Sequence, residues 1–187
     1  GRITAPAITT TYGNRGNLKI ELNSNETNST LDGFKLTVKV FTGKKYKKYT
    51  VITKSNGTAT LKTRENLAVG KHKVTITTGD SFTKKTTITV NKIKTTVKAP
   101  KVTNKFKKSK YFKVAVKDKA TKKAVSNVKV KLKVFTGKKY ITKTIKTNSK
   151  GIAKLNTKFL KIGSHKVVIS SANGNYKISA KSKITIR

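Results

Sequence analysis

No cysteine, methionine, tryptophan or glutamine occurs in the 187 residues, and there are only two prolines and six acidic residues. Without cysteine there can be no disulfide, no thiol nucleophile and no thiolate-held metal. The compartment stays open, because a packed core of this size can stand without staples. Without glutamine, a Thr–Gln ester crosslink is excluded. No stretch approaches the ~20 consecutive apolar residues of a membrane-spanning helix. The opening Gly1-Arg2-Ile3-Thr4 carries neither a methionine nor the apolar run of a secretion signal, so the chain is expected to be a piece of a longer protein.

Scarcity of acid also limits chemistry. Glu21, Glu26, Asp32, Glu65 and Asp80 lie in the first half, and Asp118 stands alone in the second. Glycoside hydrolysis needs two positioned carboxyl groups, and calcium needs several oxygen ligands, usually anionic. The second half can supply neither. The glycines fall singly at turns and form no phosphate-cradling loop. His72 and His165 are the only histidines, and neither has a cysteine, second histidine or carboxylate cluster beside it. No enzyme activity, metal or cofactor is expected.

What is present is a repeat. Val38-Lys39-Val40-Phe41-Thr42-Gly43-Lys44-Lys45-Tyr46 returns as Leu132-Lys133-Val134-Phe135-Thr136-Gly137-Lys138-Lys139-Tyr140, 94 residues on, and Ala5-Pro6 returns as Ala99-Pro100 at the same offset. Gly70-Lys71-His72-Lys73-Val74 returns as Gly163-Ser164-His165-Lys166-Val167 at an offset of 93. That period is too long for a solenoid unit and suits a self-standing domain. Two modules are expected, 1–92 and 93–187. The boundary falls near Asn91 to Lys94, with Ile93 packed between modules, and the short linker without glycine predicts a semi-rigid rod.

Each copy reads as strands. Val128, Val130, Leu132 and Val134 alternate with Lys129, Lys131 and Lys133, the period of a strand with one buried face. The same alternation runs through Leu18/Ile20/Leu22, Phe34/Leu36/Val38/Val40, Phe112/Val114/Val116 and Ile184/Ile186. Asn56-Gly57 and Lys150-Gly151 separate such runs and read as hairpin turns tolerant of positive φ. No window has a helical period. About seven short strands per ~95 residues, with turns every 8–12, is the profile of an immunoglobulin-like sandwich. The expected fold class is therefore all-β, two tandem immunoglobulin-like β-sandwiches. Lysines would line the solvent faces and discourage edge-to-edge pairing. In immunoglobulin domains a tyrosine placed two residues before a core position ties down a neighbouring loop. His72 and His165 are expected to fill that place.

Asn148-Ser149-Lys150-Gly151-Ile152-Ala153, Ile162-Gly163-Ser164-His165-Lys166-Val167-Val168-Ile169 and Val134-Phe135-Thr136-Gly137-Lys138-Lys139-Tyr140 resemble the immunoglobulin-like repeats of adhesin-like surface proteins of methanogenic archaea. Thr11-Tyr12-Gly13, Asn56-Gly57-Thr58-Ala59-Thr60-Leu61 and Leu67-Ala68-Val69-Gly70 are similar to bacterial immunoglobulin-like repeats generally. The resemblance spans nearly the whole chain, but it rests on turns and core positions. It implies an extracellular module at a cell surface or cell wall, in the stalk or wall-associated part of an adhesin.

Forty-five basic against six acidic residues give a net charge of +39. Residues 1–92 carry 17 basic and 5 acidic side chains, and residues 93–187 carry 28 and 1. A polycation concentrates polyanions at its surface, so the second module is the expected contact. Its candidate polyanion-binding residues are Lys105, Lys107, Lys108 and Lys110, beside Phe106 and Tyr111, together with Lys129, Lys131 and Lys133. Lysines two apart on a strand lie ~6.5–7 Å apart, inside the ~8 Å Debye length of physiological salt. They repel one another until a polyanion covers them. The expected partner is an anionic cell-wall polymer or glycan, with contact to other cell surfaces a further candidate. Lysine over arginine argues against a fitted phosphate or base reader, so nucleic acid is expected to bind in vitro without being the physiological ligand. Tyr46, Tyr49 and Tyr140 follow lysine pairs and read either as stacking platforms or as edge packing. A lysine coat serving only solubility is the bland alternative, and a receptor for one defined anionic glycan is the sharper one. The chain is expected to be a monomer.

Two covalent features remain. Asn25, Asn28 and Asn56 open Asn-X-Thr sequons in loops or turns, making them candidate N-glycosylation sites. Asp118 shares parity with Val114 and Val116, which raises a Lys–Asn isopeptide bond beside a buried carboxyl group. An aspartate fixing the turn before Lys119-Ala120-Thr121 is the favoured reading.

Overall fold

The structure, a computed structural model, describes residues 2–14, 17–23, 31–63, 66–79 and 82–187. The chain divides into two compact units, Gly1–Asn91 and Lys92–Arg187. The first runs through β1 (Arg2–Thr4), β2 (Ile8–Thr11), β3 (Asn17–Asn23), β4 (Lys35–Thr42), β5 (Lys45–Ile52), β6 (Thr58–Lys62), β7 (Gly70–Thr78) and β8 (Phe82–Asn91). One sheet has the order β1-β3-β6 and the other β2-β8-β7-β4-β5.

The second unit repeats this with β9 (Ile93–Lys98), β10 (Val102–Asn104), β11 (Tyr111–Asp118), β12 (Lys129–Thr136), β13 (Lys139–Lys146), β14 (Ile152–Asn156), β15 (Gly163–Ser171), β16 (Tyr176–Lys177) and β17 (Ser179–Ile186). Its sheets are β14-β11-β9-β16 and β10-β17-β15-β12-β13. A single 3-10 turn, Thr157–Phe159, is the one helical element among the described residues. Each unit is an immunoglobulin-like β-sandwich: two facing sheets, with the first strand shared between them and sheets exchanged along the chain.

The recurring Ala-Pro has a structural meaning. In the first unit β1 pairs antiparallel with β3, then Ala5-Pro6-Ala7 intervenes, and β2 pairs parallel with β8 in the opposite sheet. Ala99-Pro100-Lys101 does the same between β9 and β10, the latter parallel to β17. Proline cannot donate to a ladder, so it sits where the chain must release one sheet before joining the other.

Alternation is read correctly for most of the core. Leu18, Ile20 and Leu22 face Leu36, Val38, Val40, Val74 and Ile76 in the first unit. Phe112, Val114 and Val116 face Val130, Leu132, Val134, Val167 and Ile169 in the second. Each such aliphatic or aromatic side chain contributes ~1.5–3 kcal/mol on burial. Phe34 is the exception. Although it shares parity with Leu36, it precedes β4 and is 47% exposed. Its backbone N–H goes to the Thr53 hydroxyl at 2.9 Å, where the equivalent Val128 is buried and bonds Thr147 at 3.0 Å.

The hairpins also differ from expectation. Gly57 and Gly151 do have positive φ, 73° and 76°. Their loops, however, carry the chain from β5 to β6 and from β13 to β14, that is, from one sheet to the other. The tight hairpins are Gly43-Lys44 and Gly137-Lys138, closed by Thr42↔Lys45 and Thr136↔Lys139. Their glycines hold φ of 62° and 63°, the left-handed entry of a two-residue turn that matches strand twist. Ile93 opens β9 and is paired with Tyr176 inside the second unit.

Both histidines are buried, with ring nitrogens facing backbone carbonyls. His72 Nε2 lies 2.7 Å from the oxygen of Ala68, and His165 Nε2 2.7 Å from that of Lys161. Nδ1 faces Phe41 at 2.7 Å and Phe135 at 2.8 Å. Each ring therefore ties the loop before its strand to the neighbouring strand, the place of the corner tyrosine.

Candidate polyanion-binding face

Strand parity decides where the lysines go. On β12, Val130, Leu132 and Val134 point inward, so Lys129, Lys131, Lys133 and Phe135 point outward from the five-stranded sheet. Register then adds lysines from other strands. Lys129 is directly opposite Lys146 on β13, and Lys166 of β15 is opposite Lys183 of β17. Lys181 stands opposite Val168, itself the partner of Lys133. Like charges directly opposed across strands are destabilising, by roughly 0.2–1 kcal/mol per pair. Asp118, the second unit's sole acidic side chain, is on the other sheet. This outer face thus lacks a side-chain carboxylate of its own unit.

Lys105, Lys107, Lys108 and Lys110 do not join that face. They occupy the loop between β10 and β11 at one end of the sandwich, where Phe106 N–H bonds the Arg187 carbonyl at 2.8 Å. Lys105, Lys107 and Lys108 are exposed, with the Lys107 ammonium 5.3 Å from the Phe106 ring centroid. Lys110 has local work: its ammonium donates to the Thr103 carbonyl at 2.7 Å. The seven predicted lysines therefore form two groups, a loop cluster and a stripe along β12. Lys146, Lys166, Lys181 and Lys183 were missed because one strand's sequence shows parity, whereas membership of the face depends on register across three further strands.

Aromatic residues punctuate the outer faces. Tyr46 and Tyr140 are each 50% exposed, packed at 5.2 Å on Phe41 and Phe135. Lys39 and Lys133 place their ammonium groups 4.8 Å from the centroids of Tyr46 and Tyr140. Tyr49 is different, being 8% exposed and part of the first unit's core. It follows a lysine pair like Tyr46, but sits on the inward parity of β5.

Asp118 is half-buried at the end of β11, and its Oδ1 accepts N–H bonds from Ala120 at 2.8 Å and Thr121 at 3.1 Å. It fixes the turn. Asn56 lies in an exposed turn with its Oδ1 accepting from the Thr58 hydroxyl at 2.6 Å, while Asn25 and Asn28 lie outside the described residues. No group of three or more His, Asp or Glu side chains suited to a metal occurs among the described residues. No helix of the described residues is long and apolar enough to cross a membrane.

No protein-family model matches the chain, and no curated protein matches it by sequence. Solved structures do align with it. The Yersinia pseudotuberculosis adhesin InvE is 15% identical, with a TM-score of 0.49, over 97% of this chain and 58% of its own. Invasin, described as a bacterial integrin-binding protein, is 16% identical, with a TM-score of 0.49, over 100% of this chain and 40% of its own. A titin A168–A169 fragment is 11% identical, with a TM-score of 0.40, over 98% of this chain and 95% of its own.

Proposed function

We propose that the chain is a non-catalytic tandem module of a cell-surface adhesin, part of an extracellular stalk or wall-associated segment, held in part by lysine contacts to an anionic cell-wall polymer or glycan. One observation carries this reading. The outer face of the second unit's five-stranded sheet gathers Lys129, Lys131, Lys133, Lys146, Lys166 and Lys183, with two directly opposed pairs, in a unit holding a single acidic side chain. Apposed cations cost folding free energy that a bound polyanion returns. The adhesin setting draws on the sequence resemblance and on the two-sandwich architecture.

The test is retention of the full chain on immobilised polygalacturonate and on dextran sulfate along a salt gradient. Retention at low ionic strength, falling steeply with salt on both resins, supports charge-led footing. Absence of retention at ~20 mM salt, where the screening length is at least ~20 Å, contradicts it. Retention on one resin only, persisting at ~0.5 M salt, favours a receptor for one defined glycan.

A further inference from the structure

A groove on the first unit has a chemistry that net charge alone does not supply. It is a shallow depression of ≈ 610 Å³ on the outer face of the five-stranded sheet, lined by Phe41, Lys44, Lys73, Thr75, Lys85 and Thr87. Three strands and a hairpin build it. Phe41 ends the outward row of β4, Lys44 lies in the β4–β5 turn, Lys73 and Thr75 come from β7, and Lys85 and Thr87 from β8. Register places Thr75 opposite Lys85 and Lys73 opposite Thr87, so ammonium and hydroxyl groups alternate in a two-by-two array beside the ring. The neighbouring Tyr46 has its ring face covered by the Lys39 ammonium at 4.8 Å, whereas Phe41 lines the groove.

The geometry points to a binding subsite for one anionic sugar residue. The apolar edge and face of Phe41 suit the C–H face of a pyranose ring, the three ammonium groups suit its carboxylate or sulfate, and the threonine hydroxyls suit its ring hydroxyls. A bare polyanion site needs only the lysines. The ring and the hydroxyls beside them are what a sugar adds.

The same constellation stands in the second unit as Phe135, Lys138, Lys166 and Lys181, although the intervening chain lengths differ. There the Lys166 ammonium lies 5.8 Å from the Phe135 ring centroid, and Val168 replaces Thr75. Lys183, opposite Lys166, stands where Thr87 stands opposite Lys73, so the second copy gains a charge and keeps neither threonine hydroxyl, and the first unit is the better sugar subsite. This subsite rests on the reading that the chain binds anionic polymers, and it gives that reading a stereochemical site.

Amide chemical shifts of the labelled full chain, titrated with tetragalacturonate and separately with a heparin-derived tetrasaccharide at ~0.15 M salt, test it. The expected result with at least one of the two is a saturable shift centred on Phe41, Lys73–Thr75 and Lys85–Thr87. Phe41→Ala, on the solvent side of the sheet, should weaken that binding at least about fivefold while leaving retention on dextran sulfate unchanged. Lys73→Gln should weaken both. Shifts spread over lysine-bearing strands of both units, with Phe41→Ala neutral, overturn the subsite and leave polyanion binding intact. Loss of all binding, including to dextran sulfate at low salt, overturns the underlying reading as well.

Discussion

His165 Nε2 lies 2.7 Å from the Lys161 carbonyl oxygen, and this contact ties the end of the loop to the start of β15, which begins at Gly163. His72 and Ala68 repeat it in the first unit at 2.7 Å. In both, Nδ1 faces the carbonyl of the next-to-last residue of a neighbouring strand, so one ring sits between a loop carbonyl and a strand carbonyl.

Replacing His165 with Phe keeps the volume and removes both polar contacts. The ring's lost N–H leaves a carbonyl without its donor at a cost of about 1–3 kcal/mol, so the second unit should lose about 1–3 kcal/mol in urea unfolding. His72→Phe should do the same to the first unit. A change below ~0.5 kcal/mol would show the ring to be mere filling.

Gly151 is the least replaceable turn residue of the second unit. Its φ is 76°, and a Cβ there would meet the Val116 carbonyl oxygen at 2.6 Å and the Ala124 Cβ at 3.1 Å. Left-handed strain of ~1–2 kcal/mol adds to backbone displacement from β11, so Gly151→Ala should cost about 2–4 kcal/mol in thermal or urea unfolding. Gly137→Ala, with open space around the Cβ, should cost only the strain.

Asp118→Ala removes the acceptor of two turn N–H groups and the only acidic side chain of the second unit. Stability should fall by ~0.5–2 kcal/mol. The intact mass of the wild-type chain should equal the sum of its residues plus water, with no ammonia lost, because Asp118 serves a turn and not a crosslink. A mass lower by one ammonia would contradict this.

How much of this was legible in the sequence follows from what each residue's position depends on. Leu18, Val38, Val130 and Ile184 were readable as core because inward parity is a local property. Phe34 had the right parity but lies beyond the end of its ladder, where no opposing sheet covers it. Gly57 and Gly151 carried a correct signal for positive φ, which hairpins and sheet-to-sheet crossings share. The lysine stripe Lys129/Lys131/Lys133 was visible in one strand. Its continuation to Lys146, Lys166 and Lys183 required the β12–β13 and β15–β17 registers, set by turn lengths elsewhere. Tyr49 was indistinguishable from Tyr46 by its preceding lysines and is separated from it only by parity on β5.

The location of the polyanion contact is best tested by two variants of equal charge. Lys129→Gln/Lys131→Gln/Lys133→Gln removes the central stripe of the five-stranded sheet's outer face, whereas Lys113→Gln/Lys117→Gln/Lys154→Gln removes three exposed lysines from the opposite sheet. Affinity for soluble polygalacturonate, measured calorimetrically from ~50 to ~300 mM salt, should drop for the first variant with a salt slope shallower by about 2–3, and change by less than half as much for the second. Equal losses from both variants would contradict a defined face and reduce the lysines to undirected charge.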